Sequence, residues 1–244
     1  EELRSPVILA HYVNTGAYSG HDWFYETAKW MAAKVSVPVA IHLDHGDSFE
    51  RCMEMLKLGF TSIMFDGSAL PVEENAAATE AVARVCRSFG VPLEAEIGEL
   101  CRLDDKGNKM GASNIADPDV VRQYLKLCHP DSLAIGIGNA HGFYNGPVDI
   151  RAEVLEECRK FTDIPFVLHG CTGMDEELVK RSIDSGVAKI NFGTQVRCQY
   201  VNYLKEGLAE GKDQGHAWKL SQYAELRLRE DIKDIIRLAG SKEK

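Results

Sequence analysis

Seven short runs rich in Val, Ile and Leu recur along the chain, separated by longer stretches of helical periodicity. This alternation limits the fold more than any single motif does. The runs are Ser5–Ala10, Pro38–Asp44, Ser62–Asp66, Pro92–Ile97, Ser132–Gly138, Pro165–His169 and Ala188–Phe192. Each is nearly continuous in hydrophobicity, as a strand buried on both faces must be. Asp47–Leu58, Glu73–Ser88 and Asp175–Ser185 read as amphipathic helices, and Trp218–Leu238 as a last one stopped by Gly240. Strand then helix, repeated, implies parallel strands joined by crossovers. The fold expected is α/β, a (β/α)8 TIM barrel, which needs eight strands. Because the chain opens on EELRSPVIL, a helix end running into a strand, the expectation places the first strand and most of the first helix upstream of residue 1. A doubly wound open sheet is the alternative. No Pro-, Gly- or Ser-rich linker divides the chain, so residues 1–244 read as a single domain.

A formal net charge of −9 disfavours a general binder of nucleic acid or of membrane surfaces. It leaves room for a small anionic ligand held by local positive potential. The seven cysteines are odd in number and form no CxxC pair, which points to unpaired thiols in a reducing, cytoplasmic setting. No apolar run reaches the length of a membrane span, and the first residues do not resemble a signal peptide.

Polar residues gather where the apolar runs end, the face on which such barrels place their active sites. HLDHG supplies His42, Asp44 and His45; FDGS supplies Asp66; EAEIG supplies Glu94 and Glu96. GNAHG, LHGCTG and INFGT add His141, His169, Asn191 and Thr194. Of the eight histidines, His11, His21, His129 and His216 read as structural. His45, His141 and His169 each close a run and precede Gly, so three imidazoles can converge as the ligands of a catalytic zinc with one open position. His42 shares a strand face with Asp44 and is expected to point inward with it and support it. Asp44, beside His45, is placed for proton transfer at a substrate oxygen. Asp66, Glu94 and Glu96 read either as a second metal position or as charge balance, Glu94 as structural. Gly170–Gly173 and Gly193-Thr194 follow the seventh and eighth strands of the expected barrel, where barrels bind phosphate with backbone N–H groups and a helix N-terminus. Thr172 and Thr194 add hydroxyl donors there; as ordinary helix caps they would do less.

The ordered set HLDHG, GFTSIMFDGS with EEN, EAEIG, GNAHGFY, FVLHGCTG and KINFGT resembles the class II ketose-bisphosphate aldolases over essentially the whole chain, with a cast closer to the tagatose-bisphosphate aldolase-like branch. The resemblance implies cleavage of a phosphorylated ketose to dihydroxyacetone phosphate and an aldehyde. It implies Zn2+ on His45, His141 and His169, Asp44 as proton donor, and Asp66 with Glu96 as an alternative metal position. Gly142, Gly170, Cys171, Thr172, Asn191, Phe192, Gly193 and Thr194 would surround the dihydroxyacetone-phosphate moiety. A monovalent cation (Na+ or K+) near that phosphate and a homodimer or homotetramer are further implications. The loop after EAEIG differs: Cys101 and Arg102 stand where the family has glycines, and Asp104-Asp105 where it has Glu-Asp, leaving Asp104 as the acid that loop would bring to substrate. Gly193 stands where the family has Asp or Ala. Lys233 and Arg237 are candidates for a second phosphate. The competing expectations are a non-catalytic phosphosugar-binding or assembly subunit and a metal-dependent sugar-phosphate isomerase or epimerase.

Overall fold

The computed structural model describes residues 1–98, 101–103, 109–110, 115–142 and 149–244. Its strands are β1 (Val7–Tyr12), β2 (Val39–Gly46), β3 (Ser62–Phe65), β4 (Leu93–Ile97), β5 (Cys101–Leu103), β6 (Lys109–Met110), β7 (Ser132–Ile135), β8 (Ala140–His141), β9 (Phe166–Leu168) and β10 (Val187–Ile190). The α-helices are α1 (Gly16–Ser19), α2 (His21–Ala32), α3 (Phe49–Leu58), α4 (Val72–Phe89), α5 (Pro118–Leu127), α6 (Glu153–Arg159), α7 (Glu176–Asp184), α8 (Thr194–Ala209) and α9 (Ala217–Leu238). The seven runs expected from the sequence are the seven strands of one parallel sheet, ordered β1-β2-β3-β4-β7-β9-β10. This order never reverses. A doubly wound sheet reverses at a switch point, so that alternative is excluded.

The sheet is curled. β2 and β10 stand five positions apart, about 24 Å in a flat sheet at the usual strand spacing. Yet Asn191, just past β10, places Nδ2 3.1 Å from Oδ1 of Asp44 in β2. Lys189 Nζ of β10 likewise lies 2.8 Å from Glu94 Oε2 of β4. The product is a seven-stranded half-barrel with helices alternating along it, β1 and β10 being the two ends of the order.

Strand alternation sorts the side chains onto two faces. Ile41, Leu43, Ile63, Phe65 and Leu93 pack outward with Cys52, Met55 and Leu56 of α3 and Val82, Ala83 and Cys86 of α4. Ala95, Leu133, Ile135, Phe166 and Leu168 pack outward with Val121 and Tyr124 of α5 and Leu155 of α6. Burying a large apolar side chain stabilises by roughly 1.5–3 kcal/mol, so this layer secures the sheet to its helices. The intervening residues, His42, Asp44, Glu94, Glu96, His169, Lys189 and Asn191, are left for the concave side.

Helix ends follow local chemistry. Ser48 caps α3 by accepting from Arg51 N at 3.2 Å, and Gly59 ends it with φ 106°. Asp117 precedes Pro118 at the start of α5, and Asp175 accepts from Glu177 N at 2.8 Å to start α7. A feature the sequence does not announce is a second, three-stranded sheet, β6-β5-β8. In it Arg102 pairs with His141, so His141 sits in a two-residue strand and not at the end of β7.

Candidate functional site

In a regular strand Asp44 and His45 would face opposite sides. The structure resolves this with a left-handed residue: His45 has φ 53°, and the β2–β3 register shifts between Leu43 and Gly46. Such a conformation costs of order 1–3 kcal/mol and persists only where its surroundings fix it. It turns both side chains to the concave mouth. Gly46 is required at the bend, because a Cβ there would meet Met64 O at 2.5 Å.

The rings of His45, His141 and His169 lie with centroids 4.9–5.9 Å apart. One nitrogen from each lies within 4.8 Å of the others, a group able to hold a metal ion. Bonds of roughly 2.0–2.1 Å reach such a set with small side-chain movements. The carrying loops are tied to each other. Buried Asn139 donates to His169 O at 2.7 Å and accepts from Ile137 N at 3.0 Å. Gly170, at φ 64°, sits where a Cβ would strike Ala140 O at 2.4 Å, so only glycine lets the loops after β8 and β9 approach this closely.

His45 Nδ1 lies 2.7 Å from Asp66 Oδ2 and 3.7 Å from Glu96 Oε2. His45, Asp66 and Glu96 form a second group of metal-competent donors. Ser68 holds Asp66 through its hydroxyl at 2.7 Å and its N–H at 3.1 Å. Asn75, from the EEN segment, donates to Glu96 O at 2.9 Å. Burial would lower the His45 pKa, but the Asp66 hydrogen bond and the charges of Glu96 and Asp44 override it and raise it to about 9. Burial would raise that of Asp66, but His45 and Ser68 hold it at about 2. Burial, then Asp66, pushes the Glu96 carboxyl up to about 8. Burial, then Lys189 and His45, keeps His169 well below the ordinary histidine value. A buried carboxyl and a neighbouring imidazole both pushed upward mark a donor set crowded with negative charge. His45 Nε2 and Glu96 Oε2 are buried with no hydrogen-bond partner among the described residues. A bound cation satisfies both conditions, so the residues fit one.

Asn191 Nδ2 donates to Asp44 Oδ1 and lies 3.2 Å from His169 Nδ1, joining the carboxylate to the histidine cluster. The two glycine loops also meet: Thr172 Oγ1 accepts from Gln195 N at 3.1 Å. Thr172 thereby caps α8, whose own N-cap, Gly193, offers no side chain. Thr194 Oγ1 accepts instead from Arg197 at 3.4 Å. Arg197 also lies within 3.1 Å of where a Cβ on Gly193 would be, a basic group beside these loops that the sequence reading passed over. Its signal was its place in the first turn of α8, just after INFGT. Cys171 and Phe192 turn toward the apolar layer, so what they offer a ligand is backbone. Gly142, at φ 130°, follows His141 at the same mouth. Asp104 lies outside the described residues.

Three expectations change. His42 does face inward, but its Nδ1 lies 2.7 Å from Ser62 Oγ and its Nε2 3.7 Å from Glu94. Its nitrogens face Ser62 and Glu94, and Asn191 holds Asp44 instead. Glu94, expected to be structural, accepts from His169 Nε2 at 2.8 Å, a pairing the sequence does not announce. Lys233 pairs with Glu2 and Glu230, and Arg237 with Asp234. Glu2 precedes β1, so Lys233 lies at the opposite end of the sheet from the histidines. Glycine-rich punctuation revealed the loops, but partners brought together from β4, β9 and β10 leave no local trace.

Comparison with known proteins gives a consistent result. The family model described as fructose-bisphosphate aldolase class-II matches residues 1–244. A Bacillus subtilis (strain 168) protein described as "Probable fructose-bisphosphate aldolase" is 37% identical over 247 aligned residues, covering 99% of this chain and 85% of that protein. The crystal structure of the YdjI aldolase of Escherichia coli K12 superposes with TM-score 0.83 at 29% identity, covering 99% of this chain and 84% of that one. Fructose-bisphosphate aldolase of Campylobacter jejuni shares the fold, with TM-score 0.81 at 20% identity over 100% of this chain and 85% of its own.

Proposed function

The chain belongs to the class II fructose-bisphosphate aldolase family and is a class II aldolase, a carbon–carbon lyase, and on that premise we propose the chemistry of its site. The reaction is reversible, zinc-dependent cleavage of a phosphorylated ketose, of the fructose- or tagatose-bisphosphate kind, to dihydroxyacetone phosphate and an aldehyde. The observation that carries this reading is the meeting of His45, His141 and His169 at one point, with Asp44 joined to them through Asn191.

Three imidazoles suit zinc and leave a position for substrate. When bound, zinc supplies Lewis-acid withdrawal of electron density from the ketose carbonyl. Asp44 does the proton work. As the C3–C4 bond breaks, its electron pair forms the C2–C3 double bond while the carbonyl pair moves onto oxygen, and the C4 hydroxyl proton passes to Asp44, releasing the aldehyde. A proton delivered to C3 by the acid of the Asp104 loop then completes dihydroxyacetone phosphate. In condensation Asp44 returns that proton. Asn191 holds Asp44 Oδ1, so the other oxygen is turned to substrate. Asp66 and Glu96 provide the alternative metal position, with His45 shared between the two. Gly142, Gly170, Thr172 and the 191–194 segment hold the phosphate end, turning binding into orientation. Asp104 brings an acid from its loop. A monovalent cation, Na+ or K+, beside the phosphate, a homo-oligomer, and residues 1–244 acting as one domain complete the reading.

The test is a panel of phosphorylated ketoses, each incubated with and without chelator while dihydroxyacetone phosphate is followed. Release that stops with chelator and returns with zinc is the expected outcome. Product release that is indifferent to chelator, or isomerised ketose with no triose phosphate, would reject it.

A further inference from the structure

Beneath the histidine cluster lies a buried ionic pair that the reaction itself does not use. Glu94 is 2% exposed and Lys189 only partly accessible. Glu94 Oε1 lies 2.8 Å from His169 Nε2, and Glu94 Oε2 lies 2.8 Å from Lys189 Nζ. His42 Nε2 stands 3.7 Å from that second oxygen, with its own Nδ1 engaged by Ser62. Glu94 and Glu96 share one face of β4, two residues apart, yet only Glu96 belongs to a group competent for metal. The difference is what each carboxylate touches.

We propose that Lys189 and Glu94 are positioning residues that fix the tautomer of His169 and so choose its Nδ1 as the metal-binding atom. This rests on the metal-site reading above. A carboxylate accepts hydrogen bonds only, and an ammonium donates only. Lys189 forms an ion pair with one oxygen of Glu94, leaving the other to accept from His169. That contact requires the ring proton on Nε2, so Nδ1 carries the lone pair. Nδ1 is the nitrogen turned toward Asn191 and the mouth, 3.2 Å from the Asn191 amide. Buried partners of this kind set ligand orientation, and changing them costs about 10–100-fold in metal affinity. The pair also keeps Glu94 from acting as a competing ligand, because both of its oxygens are already engaged.

The conservative variant Glu94→Gln separates this from a merely structural role. A glutamine has one acceptor oxygen, and Lys189, carrying the charge, takes it. The amide NH2 then faces His169, which must accept at Nε2 and move its proton to Nδ1, blocking the ligand atom. Adding Lys189→Met frees the amide oxygen to face His169 again. The experiment records histidine side-chain 15N spectra of the metal-free protein and zinc affinity by chelator competition, with thermal unfolding as a check on folding. The wild type should show His169 protonated at Nε2. Glu94→Gln should swap the tautomer and weaken zinc about 10–100-fold. The Glu94→Gln, Lys189→Met double variant should recover both. A wild-type His169 protonated at Nδ1 overturns the proposal, whether or not any variant folds. So does Glu94→Gln with unchanged tautomer and affinity, or a double variant no better than the single. None of these readouts needs turnover, so a failure to cleave ketoses would count against the proposed reaction and leave this result standing.

Discussion

At the scale of single residues, the arrangement separates proton transfer from ligand holding. Asp44 is bound by Asn191 and not by a histidine, so removing its charge leaves the metal-competent group intact. Asp44→Asn is therefore expected to keep zinc affinity while turnover drops about 10²–10⁴-fold, the usual share of a general acid–base group. Equal turnover in the two proteins, with proton transfer shown to limit the native one, would remove Asp44 from the mechanism. The Thr172 oxygen caps Gln195 N–H, and the phosphate contact proposed for its hydroxyl can be distinguished from that role. Thr172→Val should cost about 0.5–2 kcal/mol of stability, as lost caps do, and Thr172→Ser should restore it. The valine variant should also weaken phosphorylated substrates more than their dephosphorylated analogues. Equal weakening would mean that Thr172 holds the loop without reading phosphate.

At the scale of elements, β1, α2 and α3 are joined by a directed chain of hydrogen bonds. Arg51 of α3 can only donate, so His21 Nε2 accepts from it at 3.0 Å; His21 Nδ1–H then faces His11 Nε2 at 2.8 Å. His11 also stacks on Phe24 at 4.2 Å. Burial, then the neighbouring His21, depresses the His11 pKa to about 4. Its unfolded value is about 6.5, so between these values the unfolded state binds more protons. The His11 contribution to stability must then fall as pH drops from about 6.5 toward 4 and level off below. Urea unfolding across that window should show the slope, and His11→Phe should reduce it by the share of one group, at most about 1.4 kcal/mol per pH unit. An unchanged slope in the variant would release His11 from this role. The same elements show what sequence can and cannot reveal. Continuous apolar runs disclosed β3, β4, β7 and β9 because a strand covered on both faces has no polar side to hide; β1 and β10, at the ends of the order, are as apolar in sequence but more exposed. Strands such as β6 and β8, two residues long, carry no periodicity to read. His45 was legible from its place after a run, but its left-handed backbone was not, since it is held by hydrogen bonds with distant residues, Met64 and Asp66 among them. Lys189 and Glu94 were each visible, but their pairing depends on the curl of the whole sheet.

At the scale of the whole molecule, curling the sheet concentrates charge that a flat one would disperse. Glu94, Glu96, Asp66 and Asp44 are gathered on the concave side against His45, His169 and Lys189. Binding of the zinc proposed for that site would be coupled to folding, because ligand that binds only the native state stabilises it by about 2.7 kcal/mol at a hundredfold excess over Kd. Chelator should accordingly lower the thermal midpoint and zinc restore it, with His141→Ala less sensitive to both; a midpoint indifferent to chelator would mean that no metal binds the native protein. The claim on which the rest depends is that three strand-end histidines share one ion. Anomalous diffraction at the zinc edge, on crystals grown with zinc, tests it directly. The account predicts one strong peak bonded to ring nitrogens of His45, His141 and His169 at roughly 2.0–2.1 Å. A peak elsewhere, or any of the three rings turned away from it into the core, would contradict the account.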